Sequence, residues 1–297
     1  MNQKTAFILC SIWLSCAGCL RLDDQFFDPS KIDAYRMHAY TGEVDFRLPP
    51  SYDIATNLIQ WQLIPSYATN NKATNIWSVF IGRQEGLPTD TIILYCHGNR
   101  DHLDFYWPRL QLLAHTGGKH RYGVLSIDYQ GFGLSEGKPS QEALIQDVQA
   151  ALDWLAERNV PPERIILYGF SLGSIPAIHH ASLEPLSQSG KLILEAPLNS
   201  SATLVQDAST LSLPGAFVTD LNFNNERLIQ HVDRPLLWIH GTHDEKVSLL
   251  AHGEPVFHAH KGLFKEALIV VNGIHDKLPE QIGFEAYLDS LAAFIVR

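Results

Sequence analysis

The chain has 297 residues, with 32 Asp and Glu against 22 Lys and Arg, for a net charge of −10. Its 45% hydrophobic and 18% charged content excludes intrinsic disorder. That length builds a substantial core without disulfide or metal staples, and the acidic balance, with no Lys/Arg cluster, argues against a nucleic-acid-binding face.

The first residues read as an export signal. Lys4 is followed by an apolar run over residues 6–14 and then by small residues. The run is too short to span a bilayer, which takes about 20 residues. Three of the four cysteines, Cys10, Cys16 and Cys19, lie here, so a disulfide framework is excluded. Cys16-Ala17-Gly18-Cys19 resembles the end of a bacterial lipoprotein signal. That resemblance implies cleavage after residue 18 and a membrane tether through a lipidated Cys19, hence an exported, membrane-anchored protein of the bacterial cell envelope. The alternative is a plain secreted protein. Residues 19–50, with Phe26-Phe27-Asp28-Pro29-Ser30, read as a linker into one domain over 51–297.

Candidate strands follow at 57–65, 75–81, 91–96, 122–128, 164–168, 191–194, 235–240 and 267–271. Central runs such as Ile92-Ile93-Leu94-Tyr95 and Ile165-Ile166-Leu167-Tyr168 are apolar throughout, as in parallel strands buried on both faces. The earlier stretch Ile76-Trp77-Ser78-Val79-Phe80 alternates, which suits an antiparallel edge hairpin carrying Trp61 and Trp77. Between the strands, residues 141–159 form a helix. Leu144, Val148, Ala151, Leu152 and Leu155 make one apolar stripe, Ser140 is the N-cap, and Pro161-Pro162 prevents continuation. A closing helix is predicted over 280–296. Strands alternating with helices make a mostly parallel sheet flanked by helices. The rhythm breaks between 197 and 231, where Leu204, Leu211, Leu213, Phe217, Val218 and Leu221 sit among polar residues. This is a small lid insertion.

Gly169-Phe170-Ser171-Leu172-Gly173 is a G-x-S-x-G motif between a strand and a helical pattern, the setting of a nucleophile elbow. A Ser on that turn exposes its Oγ, and the following helix aims amides and its positive end at the site. Asp244, in His240-Gly241-Thr242-His243-Asp244, and His275, in Gly273-Ile274-His275, each follow a strand. In a parallel sheet all three residues therefore converge at the carboxyl edge. His275 Nε2 is the base for Ser171, and Asp244 orients its Nδ1 side. Glu195, Glu245 and Asp276 are the alternative acids. The oxyanion donors are the main-chain amides of Leu172 and Asn99, the latter in His97-Gly98-Asn99. His97 itself reads as a structural residue shaping that loop.

These motifs resemble the α/β-hydrolase superfamily. Within it they are similar to the branch of lysophospholipid and monoglyceride lipases and protein depalmitoylases. The resemblance is carried by His97-Gly98-Asn99, by Asp128-Tyr129-Gln130-Gly131-Phe132-Gly133 with the Leu134–Ser140 stretch after it, by the elbow, by Leu194-Glu195-Ala196-Pro197, and by the Asp244 and His275 loops. It implies an α/β-hydrolase fold and a Ser171, Asp244, His275 triad with no cofactor. Gln130 stands where that branch commonly has Arg, so any salt bridge made there is absent. Gly-Ile-His replaces a more usual Gly-Gly-His.

Fourteen histidines invite a metal reading, but there is no H-E-x-x-H and no ligand triplet at metal spacing. His179-His180 are packing or surface residues. Cys96 is a small core hydrophobe. The turn around Phe132 lacks the spacing and Lys of a nucleotide loop. The expected activity is serine hydrolysis of a small-molecule carboxylic ester or thioester through an acyl-enzyme. The apolar lid points to a lipid-like acyl group. The alternatives are an amidase or peptidase on the same triad and a catalytically silent binding protein on the same fold.

Overall fold

A computed structural model describes residues 26–67, 72–183, 190–208 and 221–297. The export signal, Cys19, and the lid residues Leu211, Leu213, Phe217 and Val218 lie outside the described residues.

Eight strands form one sheet: β1 (Ile59–Tyr67), β2 (Ala73–Ile81), β3 (Ile92–Cys96), β4 (Gly123–Ile127), β5 (Ile165–Phe170), β6 (Lys191–Glu195), β7 (Leu236–Gly241) and β8 (Lys265–Val270). Their spatial order is β8-β7-β6-β5-β3-β4-β2-β1. The pairs β1–β2 and β2–β4 are antiparallel, and every other pair is parallel. The chain runs from β3 to β4 on one side and then returns to place β5 on the other. The loops leaving β3 and β5 therefore diverge at a topological switch point, where open α/β sheets bind ligands.

Alternation along the central strands divides the core in two. Leu94, Leu125, Leu167 and Leu194 face the layer built on Val148, Leu155, Ile175 and Ile178. Ile93, Tyr95, Tyr168 and Ile239 face the opposite layer, with Leu110, Tyr287 and Leu291. The helices supplying these layers are α1 (Trp107–Leu113), α2 (Gln141–Glu157), α3 (Ser174–Ala181), α4 (Ser201–Ala208), α5 (Asn225–Leu228), α6 (Glu254–Ala259), α7 (Leu278–Ile282) and α8 (Phe284–Val296). Ser140 caps α2, accepting a hydrogen bond from the Ala143 amide at 3.0 Å.

Three details depart from the sequence reading. The closing helix is two helices, α7 and α8, separated by Gly283 at φ +91°. The helix α1 carries no polar stripe to betray it, because all seven of its residues are buried. Residues 26–37, read as part of a linker, are docked: Tyr35 stacks on Trp61 with ring centroids 4.2 Å apart, and Asp28 and Pro29 pair in parallel with Arg100 and Asp101. Gln130 makes no ion pair, yet its main-chain N–H and its Nε2 both donate to the buried Asp147, at 2.7 and 2.9 Å. Burial pushes Asp147 up to about 6.

Candidate active site

Ser171 begins a single 3-10 turn, Ser171–Gly173, between β5 and α3. Its φ is +51°, a left-handed conformation uncommon for a side-chain-bearing residue. The two motif glycines make the turn possible. A Cβ on Gly169 would lie 2.7 Å from Ser174 Cα, and one on Gly173 would lie 2.0 Å from the Cys96 carbonyl oxygen. Ser174 Oγ donates to the Ser171 carbonyl at 2.6 Å and ties the turn to the helix behind it.

The loops after β7 and β8 bring the acid and the imidazole to this turn. His275 Nε2 is 3.0 Å from Ser171 Oγ, and His275 Nδ1 is 2.7 Å from Asp244 Oδ2. All three residues are buried. The structure thus brings together the three residues singled out from sequence.

Asp244 is held from several sides. The main-chain amides of Lys246 and Val247 donate to its Oδ1 at 3.0 and 2.8 Å, and His240 Nε2 lies 3.4 Å from its Oδ2. Burial raises the Asp244 carboxyl, but hydrogen bonds from His240 and His275 outweigh it and hold the group well below the usual carboxylate range. Trp238 Nε1 donates to His240 Nδ1 at 3.1 Å. The proton of neutral His240 is therefore on Nε2, where it donates to the Val247 carbonyl at 2.9 Å and faces Asp244.

The alternative acids are occupied elsewhere. Glu195 Oε1 accepts from Arg109 Nη1 at 2.7 Å, and its Oε2 accepts from the hydroxyls of Tyr168 and Tyr287. The Asp276 carboxylate is paired with Lys246, and Glu245 is exposed. Arg109 carried no sequence signal beyond being a lone cation in an apolar run. It is fully buried and also pairs with Asp45 at 2.7 Å. Its guanidinium lies 4.3 Å from the ring centroid of Phe170, which in turn packs 5.2 Å from the ring of His275.

A cavity of about 240 Å³ opens over Ser171. Leu172, Leu198, Leu204 and Val247 give its lining an apolar part, Arg100 and Asp276 a charged part, and Phe26 and Asn99 line it as well. Among the described residues the Asn99 amide donates to no protein acceptor. His97 is buried between the rings of Tyr106 and Tyr129, with Nδ1 2.7 Å from the Gly98 carbonyl. His180 Nε2 donates to the Ile145 carbonyl at 2.8 Å. Burial pushes the Cys96 thiol far above its ordinary range. Among the described residues no group of three His, Cys, Asp or Glu is placed to hold a metal.

Comparison with known proteins fits this geometry. Residues 88–234 match the family described as serine aminopeptidase, S33. The match takes in Ser171 and ends before Asp244 and His275. The uncharacterized protein YfhR of Salmonella typhi is 30% identical over 193 residues, which are 60% of this chain and 63% of that protein. The alpha/beta hydrolase domain-containing protein 17B of Homo sapiens is 32% identical over 172 residues, 56% of this chain and 54% of that protein. The chain thus spans between half and two thirds of these relatives. Among solved structures, the Pyrococcus furiosus esterase Pf2001 superposes with a TM-score of 0.63 at 18% identity, covering 91% of this chain and 98% of that one. At that identity the likeness is one of fold.

Proposed function

The chain belongs to the α/β-hydrolase superfamily, and from that premise we propose that it is a serine hydrolase cleaving carboxylic esters or thioesters through an acyl-enzyme on Ser171. One observation carries the reading: the unbroken hydrogen-bonded run from Asp244 through His275 to Ser171, at 2.7 and 3.0 Å, which reaches the cavity at His275 and Ser171.

In this mechanism Ser171 Oγ attacks the substrate carbonyl carbon as its proton passes to His275 Nε2. The carbonyl oxygen gains negative charge and is held by the Leu172 and Asn99 main-chain amides. His275 returns the proton to the departing alcohol or thiol. It then takes a proton from water as that water attacks the acyl carbon, and passes it to Ser171 Oγ as the acyl–Oγ bond breaks and the acid leaves. Asp244 accepts a hydrogen bond from Nδ1–H throughout, fixing the tautomer and stabilising the imidazolium. The apolar side of the cavity, which includes Leu198 and Leu204 of the 197–231 insertion, suits an acyl chain; in this reading that insertion is a lid within a single domain over 51–297.

The test is labelling with a fluorophosphonate probe. The parent chain is labelled and Ser171→Ala is not; labelling of Ser171→Ala at another serine overturns the assignment. A series of acyl esters and thioesters of increasing chain length then reads the lipid-like preference. Amide cleavage is the second reading, favoured by the aminopeptidase description of the matching family. Matched ester and amide substrates separate the two by kcat/KM.

The sequence also supports a membrane tether at Cys19. Among the described residues no helix is long and apolar enough to cross a membrane; a tether at Cys19 would hold through acyl chains. Cys19→Ala should then move the protein out of the membrane fraction, and unchanged partitioning removes the tether.

A further inference from the structure

Residues 26–37 lie wholly outside the family match, which begins at residue 88, yet they form a strap docked beside the site, with Phe26 and Asp28 lining its cavity. The Asp28 amide donates to the Asn99 carbonyl at 3.3 Å and to Asn99 Oδ1 at 3.2 Å, while Asn99 Nδ2 donates to the Phe26 carbonyl. Both ends of the Asn99 carboxamide are therefore engaged by the strap rather than by its own loop. One step on, the Ser30 amide donates to the Asp101 carbonyl at 3.3 Å, and Ser30 Oγ donates to Asp101 Oδ1 at 2.7 Å. Asp101 has φ +55°, a conformation that persists where surroundings hold it. Farther along, Tyr35 donates to Asp128 Oδ2 at 2.6 Å, and the Arg36 and Met37 amides donate to the Asp104 carboxylate at 2.8 and 2.7 Å. These contacts anchor the strap to the loops after β3 and β4.

The loop so held carries the Asn99 main-chain amide. An oxyanion donor works only when aimed where charge develops, with donor and oxygen about 2.7–3.1 Å apart, and a misplacement of about 1 Å can cost about 100-fold in rate. The strap's hydrogen bonds tie this loop down, and Phe26 forms part of the cavity wall.

We propose that residues 26–37 are a working part of the active site, in which the Asn99 side chain is a positioning residue that, clamped by the strap, aims the Asn99 main-chain amide at the oxyanion. The proposal rests on the reading of Ser171 as nucleophile.

The test uses the full chain with Asn99→Ala, which removes the clamp and keeps the main-chain amide. With p-nitrophenyl butyrate as the ester probe, kcat should fall about tenfold or more while KM stays within about twofold. Phenylboronic acid, whose adduct with Ser171 is tetrahedral and anionic, should bind weaker by a similar factor, whereas butyrate, a ground-state product, should bind as before. If Asn99→Ala does not fold, Ser30→Ala removes the side-chain bond of the next rung and is judged by the same pattern. Values of kcat and boronic acid affinity within twofold of the parent overturn the proposal, and so does equal weakening of boronic acid and butyrate, which marks general loosening. Ser171→Ala is run alongside. Persistent fluorophosphonate labelling there overturns the nucleophile reading itself, while a silent Ser171→Ala beside a fully active Asn99→Ala overturns the strap alone.

Discussion

Arg109 Nη2 donates to the main-chain carbonyl of Asp276 at 3.1 Å, one residue past His275. With its Nε on Asp45 and its Nη1 on Glu195, both at 2.7 Å, this guanidinium joins α1, the end of β6 and the His275 loop. All three charged side chains are inaccessible to solvent. Burial raises Asp45 to about 6 even against the pull of Arg109. Arg109→Met leaves two buried carboxylates without their cation. A loss of about 3–5 kcal/mol is expected, read as a lower urea midpoint at unchanged m-value. A loss under about 1 kcal/mol would show that the carboxylates find other partners.

Asp244→Asn isolates the tautomer. The Lys246 and Val247 amides both donate to Oδ1, so the new carboxamide must turn its oxygen there and its NH2 toward His275 Nδ1. That nitrogen becomes an acceptor, the imidazole proton moves to Nε2, and Nε2 can no longer take the Ser171 proton. A fall in kcat of about 10⁴-fold is expected with KM little changed. Imidazole 15N spectra should report the exchanged tautomer, and a variant within tenfold of the parent would remove Asp244 from its role.

The parts of this molecule visible in the sequence are those whose signal is local. Ile92–Cys96 and Ile165–Phe170 are apolar throughout because they are buried on both faces, and the ends of the observed strands differ from the sequence reading by only a few residues. Ser171, Asp244 and His275 each carry a short motif at a strand end, so fold and order together bring them to one place. Arg109, Trp238 and His240 act through contacts that no spacing announces: Arg109 reaches Glu195 and Asp276 far along the chain, and the tautomer of His240 depends on which nitrogen Trp238 happens to face. The strap was hidden for another reason. It binds through main-chain amides and single polar side chains, which leave neither helical nor strand periodicity.

Gly173 explains why the elbow and the loop after β3 are built as one piece. The Cβ of Gly173→Ala would lie 2.0 Å from the Cys96 carbonyl oxygen and 2.8 Å from that of His97. Both are main-chain atoms at the base of the loop that carries Asn99. Relief requires β3 and the elbow to move apart, at about 1–3 kcal/mol. The expected result is a lower melting temperature together with slowed fluorophosphonate labelling. Loss of stability with an unchanged labelling rate would show that the loop does not follow the strand.

His180 gives a pH dependence whose sign can be worked out. Its side chain is buried, and burial first, with the neighbouring His179 adding to it, lowers its pKa from 6.5 to about 4, despite the hydrogen bond to the Ile145 carbonyl. The unfolded chain takes up this proton as pH falls through 6.5, whereas the folded protein refuses it until about 4. Stability from this site is therefore complete above 6.5 and is lost as pH falls toward 4, with a ceiling of about 3 kcal/mol. Asp45, raised to about 6, acts in the opposite sense, since its contribution is present below 3.8 and is lost as pH rises through 6. The two partly offset one another in the parent chain. His180→Gln removes one of them, so the difference in urea midpoint between parent and variant should shift steadily in the variant's favour from pH 7 to pH 4.5. A difference that does not change across that range would place the proton elsewhere.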